Sequence, residues 1–260
     1  MTKTILITGA TDGLGRATAI ALAALGHRVI AHGRNAEKLA KLKAEIGANT
    51  STVQADMSDL AQVAQMGRDL LQDHEKIDVV INNAGVFKLS EPRLSNGMDV
   101  RFVVNTFAPA LLSNLLLPII PKDGRLVHLS SAAQAPVDVD AMAGKRQLQD
   151  MGAYAQSKLA LTMWSHDFAA QHPDGPVSVA VNPGSLLATR MVREGFGTSG
   201  NDLNIGVDIL TRAALSDEFA AASGQYFDND SGRFAAPHSD AANAETVARV
   251  VAIIDTQIGE

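Results

Sequence analysis

Tyr154 and Lys158 close the segment Tyr154-Ala155-Gln156-Ser157-Lys158, four residues apart in a stretch of helical spacing, and so share one face of a helix. A free phenol ionises near pH 10, too high for useful proton exchange at neutral pH, and an ammonium beside it favours the phenolate and lowers that value. The pair is therefore a candidate proton donor and acceptor. Ser131 ends the apolar run Arg125-Leu126-Val127-His128-Leu129-Ser130 and carries a hydroxyl able to donate to an oxygen on which charge develops, with Ser130 as the competing residue. Asn105 interrupts Val103-Val104-Asn105-Thr106, where a buried amide is costly unless hydrogen-bonded. Its partners belong either to a site or to its own helix backbone.

A second kind of chemistry lies at the N-terminus. The apolar strand Ile5–Thr8 runs into Gly9-Ala10-Thr11-Asp12-Gly13-Leu14-Gly15 and an alanine-rich helix. A strand that turns through glycines into a helix N-terminus builds an anion site, because backbone N–H groups and the helix dipole converge where no Cβ intervenes. The spacing is TGxxxGxG, not the commoner GxGxxG, so the physics of a dinucleotide site transfers while the generic fingerprint does not. Three further turns end predicted strands at the edge where open α/β sheets bind ligands: Gly33-Arg34-Asn35, Asp56-Met57 and Asn82-Asn83-Ala84-Gly85-Val86.

These residues need a scaffold, and the pattern supplies one. Short buried strands are predicted at Ile5–Thr8, Arg28–His32, Ser51–Ala55, Val79–Asn82, Arg125–Ser130 and Val177–Asn182. Helices at Leu14–Leu25, Ala36–Ile46, Leu60–Asp73, Val100–Leu117 and Tyr154–Ala170 separate them. Strict alternation implies an α/β fold, a doubly wound parallel sheet of about seven strands with helices on both faces. No linker divides the 260 residues, so one domain is expected over 1–260, with a cofactor half to about 130 and a catalytic and substrate part beyond.

In order and spacing, Thr8–Gly15, Asn82-Asn83-Ala84-Gly85, Ser131, Tyr154 to Lys158 and Asn182-Pro183-Gly184 resemble the signature series of the classical short-chain dehydrogenases/reductases. Tyr154-Ala155-Gln156-Ser157-Lys158-Leu159-Ala160, with Gly224-Gln225-Tyr226-Phe227, is similar to the retinol-dehydrogenase-like branch. The resemblance implies a single Rossmann-type domain and hydride transfer between a carbonyl and an alcohol. Tyr154 would then be the general acid/base, Ser131 would hold the substrate oxygen, and Lys158 would also hold the nicotinamide ribose. Asn105 would help to hold a water linking Lys158 to solvent. Gly9, Thr11, Asp12, Gly13, Leu14, Gly15, Gly33, Arg34, Asn35, Asp56, Met57, Asn83, Ala84, Gly85, Tyr154, Lys158, Pro183, Gly184 and Thr189 would line the cofactor. For the threonine expected after Pro183-Gly184, Thr189 stands one position late and Ser185 competes. The stretch from Ser131 to Tyr154 is longer than in compact members, and is read either as a wall of the substrate cleft or as solvated surface.

Cofactor choice follows from the end of the second strand. A carboxylate there would accept from both ribose hydroxyls and repel a 2′-phosphate; Gly33 occupies the position and Arg34 offers a planar fork suited to phosphate. NADP(H) is expected over NAD(H), with the charge of Asp12 opposing. Gly195, Gly197, Gly200 and Gly206 among Leu186, Leu187, Met191, Val192 and Phe196 suggest a substrate lid over 185–206 and a moderately apolar substrate. A non-catalytic NADP(H)-binding sensor is the alternative, disfavoured by the joint presence of Ser131, Tyr154 and Lys158; a sugar-nucleotide epimerase would show GxxGxxG and a larger C-terminal region.

Composition narrows the partners. A net charge of −6 disfavours nucleic acid, whose phosphates need clustered cations. With no cysteine and no ligand spacing among the seven histidines, no metal is assigned. Neither an export signal nor an uninterrupted apolar run of membrane-spanning length is read from the chain, and a cytoplasmic location is expected. The apolar excess of Val100–Leu117, with Leu161 and Trp164 beside it, predicts a homodimer or homotetramer.

Overall fold

The computed structural model describes residues 1–259, the side chain of Phe196 excepted, so the expectation that Phe196 lines a substrate site falls outside the described part. β1 (Thr4–Ile7) leads through the glycine turn into α1 (Gly13–Ala24), which Asp12 caps by accepting the Gly13 N–H. β2 (Arg28–Gly33) and α2 (Ala36–Ile46) follow, then β3 (Thr50–Gln54), α3 (Leu60–Asp73) and β4 (Val79–Asn82). Asn35 and Asp59 cap α2 and α3 in the same way.

The single helix predicted from Val100 is three pieces: α4 (Val100–Phe102), a π-helical turn (Val103–Phe107) and α5 (Ala108–Leu116). Pro109 has no N–H for the Asn105 carbonyl, and the Ala108 N–H reaches back to Val103, so the wider turn absorbs the mismatch. β5 (Arg125–Leu129), α6 (Val139–Met142), α7 (Asp150–Gln171), β6 (Val177–Asn182), α8 (Arg190–Phe196) and α9 (Leu203–Leu215) come next. β7 (Tyr226–Asp228), β8 (Arg233–Ala235) and α10 (Ala244–Ile258) complete the chain.

The eight strands form one sheet in the order β3-β2-β1-β4-β5-β6-β7-β8, parallel except for β8. β7 and β8 have only three residues each, too few to show a period in sequence. Alternation of side chains divides the interior into two cores. Leu6, Ile30, Val80 and Leu126 face α3, α5, α7 and α10, while Ile5, Val29, Val79, Val127 and Val179 face α1, α2 and α9.

One expectation changes and two readings gain detail. The helical run Val100–Ile119 is long and apolar enough to cross a membrane by length and composition, but Arg101, Asn105 and Ser113 interrupt it, in keeping with the sequence reading, and 72% of its apolar 18-residue window is buried inside the fold. Leu161 and Trp164, expected to be exposed for a partner chain, are 1% and 3% exposed, clustered with Val247, Val250, Val251 and Ile254 of α10. The stretch before Tyr154 is not merely solvated surface: α6 buries Ala141 and Met142, the methionine in the α7–α10 core.

Candidate active site

The glycine turn is held in a shape that side chains would obstruct. Gly9 and Gly13 have φ of +66° and +51°, and a Cβ on Gly15 would collide with the Asn83 amide and the Gly9 carbonyl. Asn83 Nδ2 donates to the carbonyls of Thr8 (2.8 Å) and Gly9 (3.2 Å), and the Ala84 N–H donates to Thr8 Oγ1 at 3.0 Å. Asn83-Ala84 thus braces the turn from the adjacent strand. The methyl of Thr189 would lie 3.6 Å from a Cβ on Gly13, whereas Ser185 turns away to Asp230, donating from its N–H and hydroxyl. Between the two candidates, geometry favours Thr189 as the residue over the cradle. Pro183 and Gly184 follow β6 at the same sheet edge, with the Asn229 amide donating to the Pro183 carbonyl.

Several predicted cofactor residues also have structural tasks. A Cβ at Gly33 would meet Thr11 Cγ2 at 2.5 Å, so packing as well as cofactor choice requires glycine there. Asn35 spends its side chain capping α2, and Asp56 Oδ1 accepts from the N–H and hydroxyl of Ser58. Leu14 and Met57 are buried, leaving only their backbone at the sheet edge. Arg34 is exposed. Lys38, which the sequence reading missed, lies 3.6 Å from Asp12 and offsets the charge expected to oppose a phosphate. The available signal was its place one helical turn after Arg34.

The proton-transfer candidates meet at the C-terminal ends of β4 and β5. Lys158 is buried and its Nζ donates to the Leu129 carbonyl at 2.6 Å, 5.8 Å from the centre of the Tyr154 ring. A Cβ on Gly85 would stand 3.5 Å from that Nζ and 3.4 Å from Asn105 Oδ1, so glycine leaves the corner open. Tyr154 lies near enough to Ser131 for that side chain to favour its ionised form, and packs edge-on against Phe87 at 5.2 Å. Ser131 Oγ accepts the Ala133 N–H at 3.1 Å, leaving its proton to donate. Ser130 instead turns inward to Thr162 Oγ1 at 2.7 Å.

The side chain of Asn105 does not bond its own helix backbone. Its Oδ1 accepts the Val86 N–H (2.8 Å), and its Nδ2 donates to the Val86 carbonyl (3.0 Å) and to Ser157 Oγ (2.9 Å). The π turn aims this amide at the loop after β4, tying it to α7.

Electrostatics differ from the expectation for Tyr154. Burial raises its pKa, opposed by the Ser131 side chain, and burial pushes Lys158 down to about 8. The ammonium is directed at the Leu129 carbonyl, so desolvation rather than mutual attraction dominates both groups.

Two residues that the sequence reading left without a site role support Ser131 from behind. Its carbonyl accepts from Gln134 Nε2 (3.0 Å) and from the Tyr226 hydroxyl (3.1 Å), and Gln134 Oε1 accepts the His238 N–H at 2.8 Å. The C-terminal segment therefore fixes the loop that carries the serine.

Residues 3–198 match the family described as short chain dehydrogenase. The chain belongs to that family. As a short-chain dehydrogenase it is an oxidoreductase of alcohol and carbonyl groups. It is similar to human (Homo sapiens) retinol dehydrogenase 13, with 29% identity over 92% of this chain and 80% of that one. An NADPH-dependent pterin aldehyde reductase of Arabidopsis thaliana is 30% identical over 76% of this chain and 81% of its own. These similarities bear out the likeness to the retinol-dehydrogenase-like branch. Among solved structures, an uncharacterized Mycobacterium paratuberculosis protein superposes with a TM-score of 0.82 at 24% identity, covering 99% of this dehydrogenase and 93% of that chain. A Shigella flexneri protein assigned as a short chain dehydrogenase and complexed with NADP gives 0.70 at 26%, over 88% and 97%.

Proposed function

We propose that this short-chain dehydrogenase is NADP(H)-dependent and interconverts a moderately apolar carbonyl compound and its alcohol, with Tyr154 as general acid/base. The observation that carries the reading is the convergence of Ser131, Tyr154 and Lys158 at the sheet edge that also presents the glycine cradle. The turn fits a dinucleotide, since Gly9 and Gly13 take the left-handed conformation and the close packing of Gly15 on Asn83 and Gly9 brings the turn directly into the N-terminus of α1, where a pyrophosphate is bound by backbone N–H groups.

When bound, the reduced nicotinamide supplies the hydride that enters the carbonyl carbon. Ser131 donates to the carbonyl oxygen, a contact that strengthens as negative charge gathers there. Tyr154 gives its hydroxyl proton to that oxygen, completing the alcohol, and takes a proton back in the reverse direction. Lys158 holds ribose hydroxyls through its ammonium and Asn105 keeps the Val86 loop against α7. Arg34 receives the 2′-phosphate, aided by the position of Lys38. The pterin aldehyde reductase and the NADP complex among the similar proteins support this cofactor.

NADPH oxidation screened over ketones, aldehydes including retinal, and quinones tests the reading. Tyr154→Phe should cost about 10²–10⁴-fold in kcat with little change in NADPH affinity. Retention of more than about a tenth of kcat would refute the acid/base role. Arg34→Ala should lower the preference for NADPH over NADH by about tenfold, the size of one charge-assisted phosphate contact. A wild-type kcat/KM higher with NADH would reject the phosphate site.

A further inference from the structure

His32 lies on β2, immediately before Gly33, and is 2% exposed. Its Nδ1 accepts the Gly9 N–H at 3.1 Å, and its Nε2 stands 3.1 Å from the Ala55 carbonyl. A ring nitrogen that accepts carries no proton, so Nε2 bears the hydrogen, donates to Ala55, and the imidazole is neutral. The His32 carbonyl also accepts the Ala10 N–H at 2.8 Å.

One side chain thus joins the turn after β1 to the end of β3, where Ala55 directly precedes Asp56, and its own backbone continues into Gly33-Arg34. These are three of the four strand-end turns assigned to the cofactor. From the opposite side the Asn83 amide donates to the Gly9 carbonyl. The Gly9 peptide groups are gripped from β2 and from β4 in the left-handed conformation that only glycine takes cheaply.

We propose that His32 is a positioning residue for the dinucleotide cradle, holding the turns after β1, β2 and β3 in one arrangement, and that protonation of its Nδ1 releases Gly9. The inference rests on the reading that the cradle binds NADP(H). A protonated ring presents donors at both nitrogens, and an Nδ1–H facing the Gly9 N–H is repulsive. Burial holds His32 below its ordinary value of 6.5, while the Ala55 carbonyl and the Asp56 carboxylate pull the other way. Release therefore belongs to acid solution.

Calorimetric titration of the full chain with NADP⁺ alone, at about pH 8 and about pH 5.5, bracketing the histidine range, tests this without a substrate. The 2′-phosphate of the ligand titrates in the same window, so the reference is His32→Asn, whose Oδ1 can accept from Gly9 and does not titrate. The expected results are Kd within about threefold of wild type for His32→Asn at the higher pH and a loss of about tenfold or more for His32→Leu, as one hydrogen bond to a buried donor implies. Between the two pH values, wild type should lose measurably more affinity than His32→Asn, though by less than about tenfold, because burial holds the imidazole below 6.5. A folded His32→Leu protein with wild-type Kd overturns the proposal, as does an equal pH response in wild type and His32→Asn. If the leucine variant does not fold, the comparison of wild type with His32→Asn decides by itself. Wild type that binds neither NADP⁺ nor NAD⁺ would instead reject the cofactor reading, and the inference with it.

Discussion

Lys158 is the residue whose ionisation should shape the rate. Burial pushes its pKa down to about 8, while Tyr154 is pushed up and keeps its proton through the same range. On the proposed mechanism the charged amine holds ribose hydroxyls and favours the phenolate formed when Tyr154 gives up its proton, so carbonyl reduction would need Lys158 protonated. With NADPH saturating, kcat should hold at neutral pH and fall as pH rises through about 8, the value set by burial in the unliganded chain. Lys158→Arg, with a side chain that does not titrate there, should lose that limb. A limb centred on the ordinary phenol value of 10.0 would point to Tyr154 instead. At this scale the sequence supplied the candidate residue types, while the structure distinguishes the two serines by position, Ser130 turning to Thr162 and Ser131 facing Tyr154.

The start of α7 is tied to α4 by a buried guanidinium, and this fixes where Tyr154 stands. Arg101 is fully buried; its Nε and Nη2 donate to Asp99 at 2.8 and 2.7 Å, and its Nη1 donates to Asp150 at 2.5 Å, four residues before Tyr154. Asp99 also caps α4 through the Arg101 N–H. Removing one partner of a buried pair leaves an uncompensated charge, so Arg101→Met should destabilise the fold by about 3–5 kcal/mol. Asp150→Asn should cost about 1 kcal/mol or less, because that carboxylate is half exposed. Urea unfolding compares the two, and equal effects would show that Asp99 is not the group left stranded. Helical periodicity located both helices, but α7 begins at Asp150, before the predicted Tyr154, and the π turn that aims Asn105 at Val86 has no periodic signature.

Across the whole molecule, α10 occupies the face on which the expectation of a homo-oligomer rested. Leu161 and Trp164 are buried with the Val247, Val250, Val251 and Ile254 side chains, so the chain covers its own apolar surface. Light scattering of the full chain should give the monomer mass of 27.3 kDa. Deleting the chain from Ala244 onward should expose that face, shift the emission of Trp164, the sole tryptophan, to the red, and cause association. A dimer of the full chain would show that another surface mediates pairing. The sequence by itself determined the α/β alternation, the glycine turn after β1, the spacing of Tyr154 and Lys158, and the asparagines ending β4, because each is written in residues close along the chain, where period and turn chemistry act. Only the tertiary structure decided that His32 reaches Gly9 and Ala55, that Lys38 offsets Asp12, that Tyr226 and Gln134 hold the Ser131 carbonyl, and that α10 covers α7. The Tyr226–Ser131 contact joins residues 95 positions apart, and a hydroxyl or imidazole carries no local mark of which distant carbonyl or amide the packing of strands will bring to it.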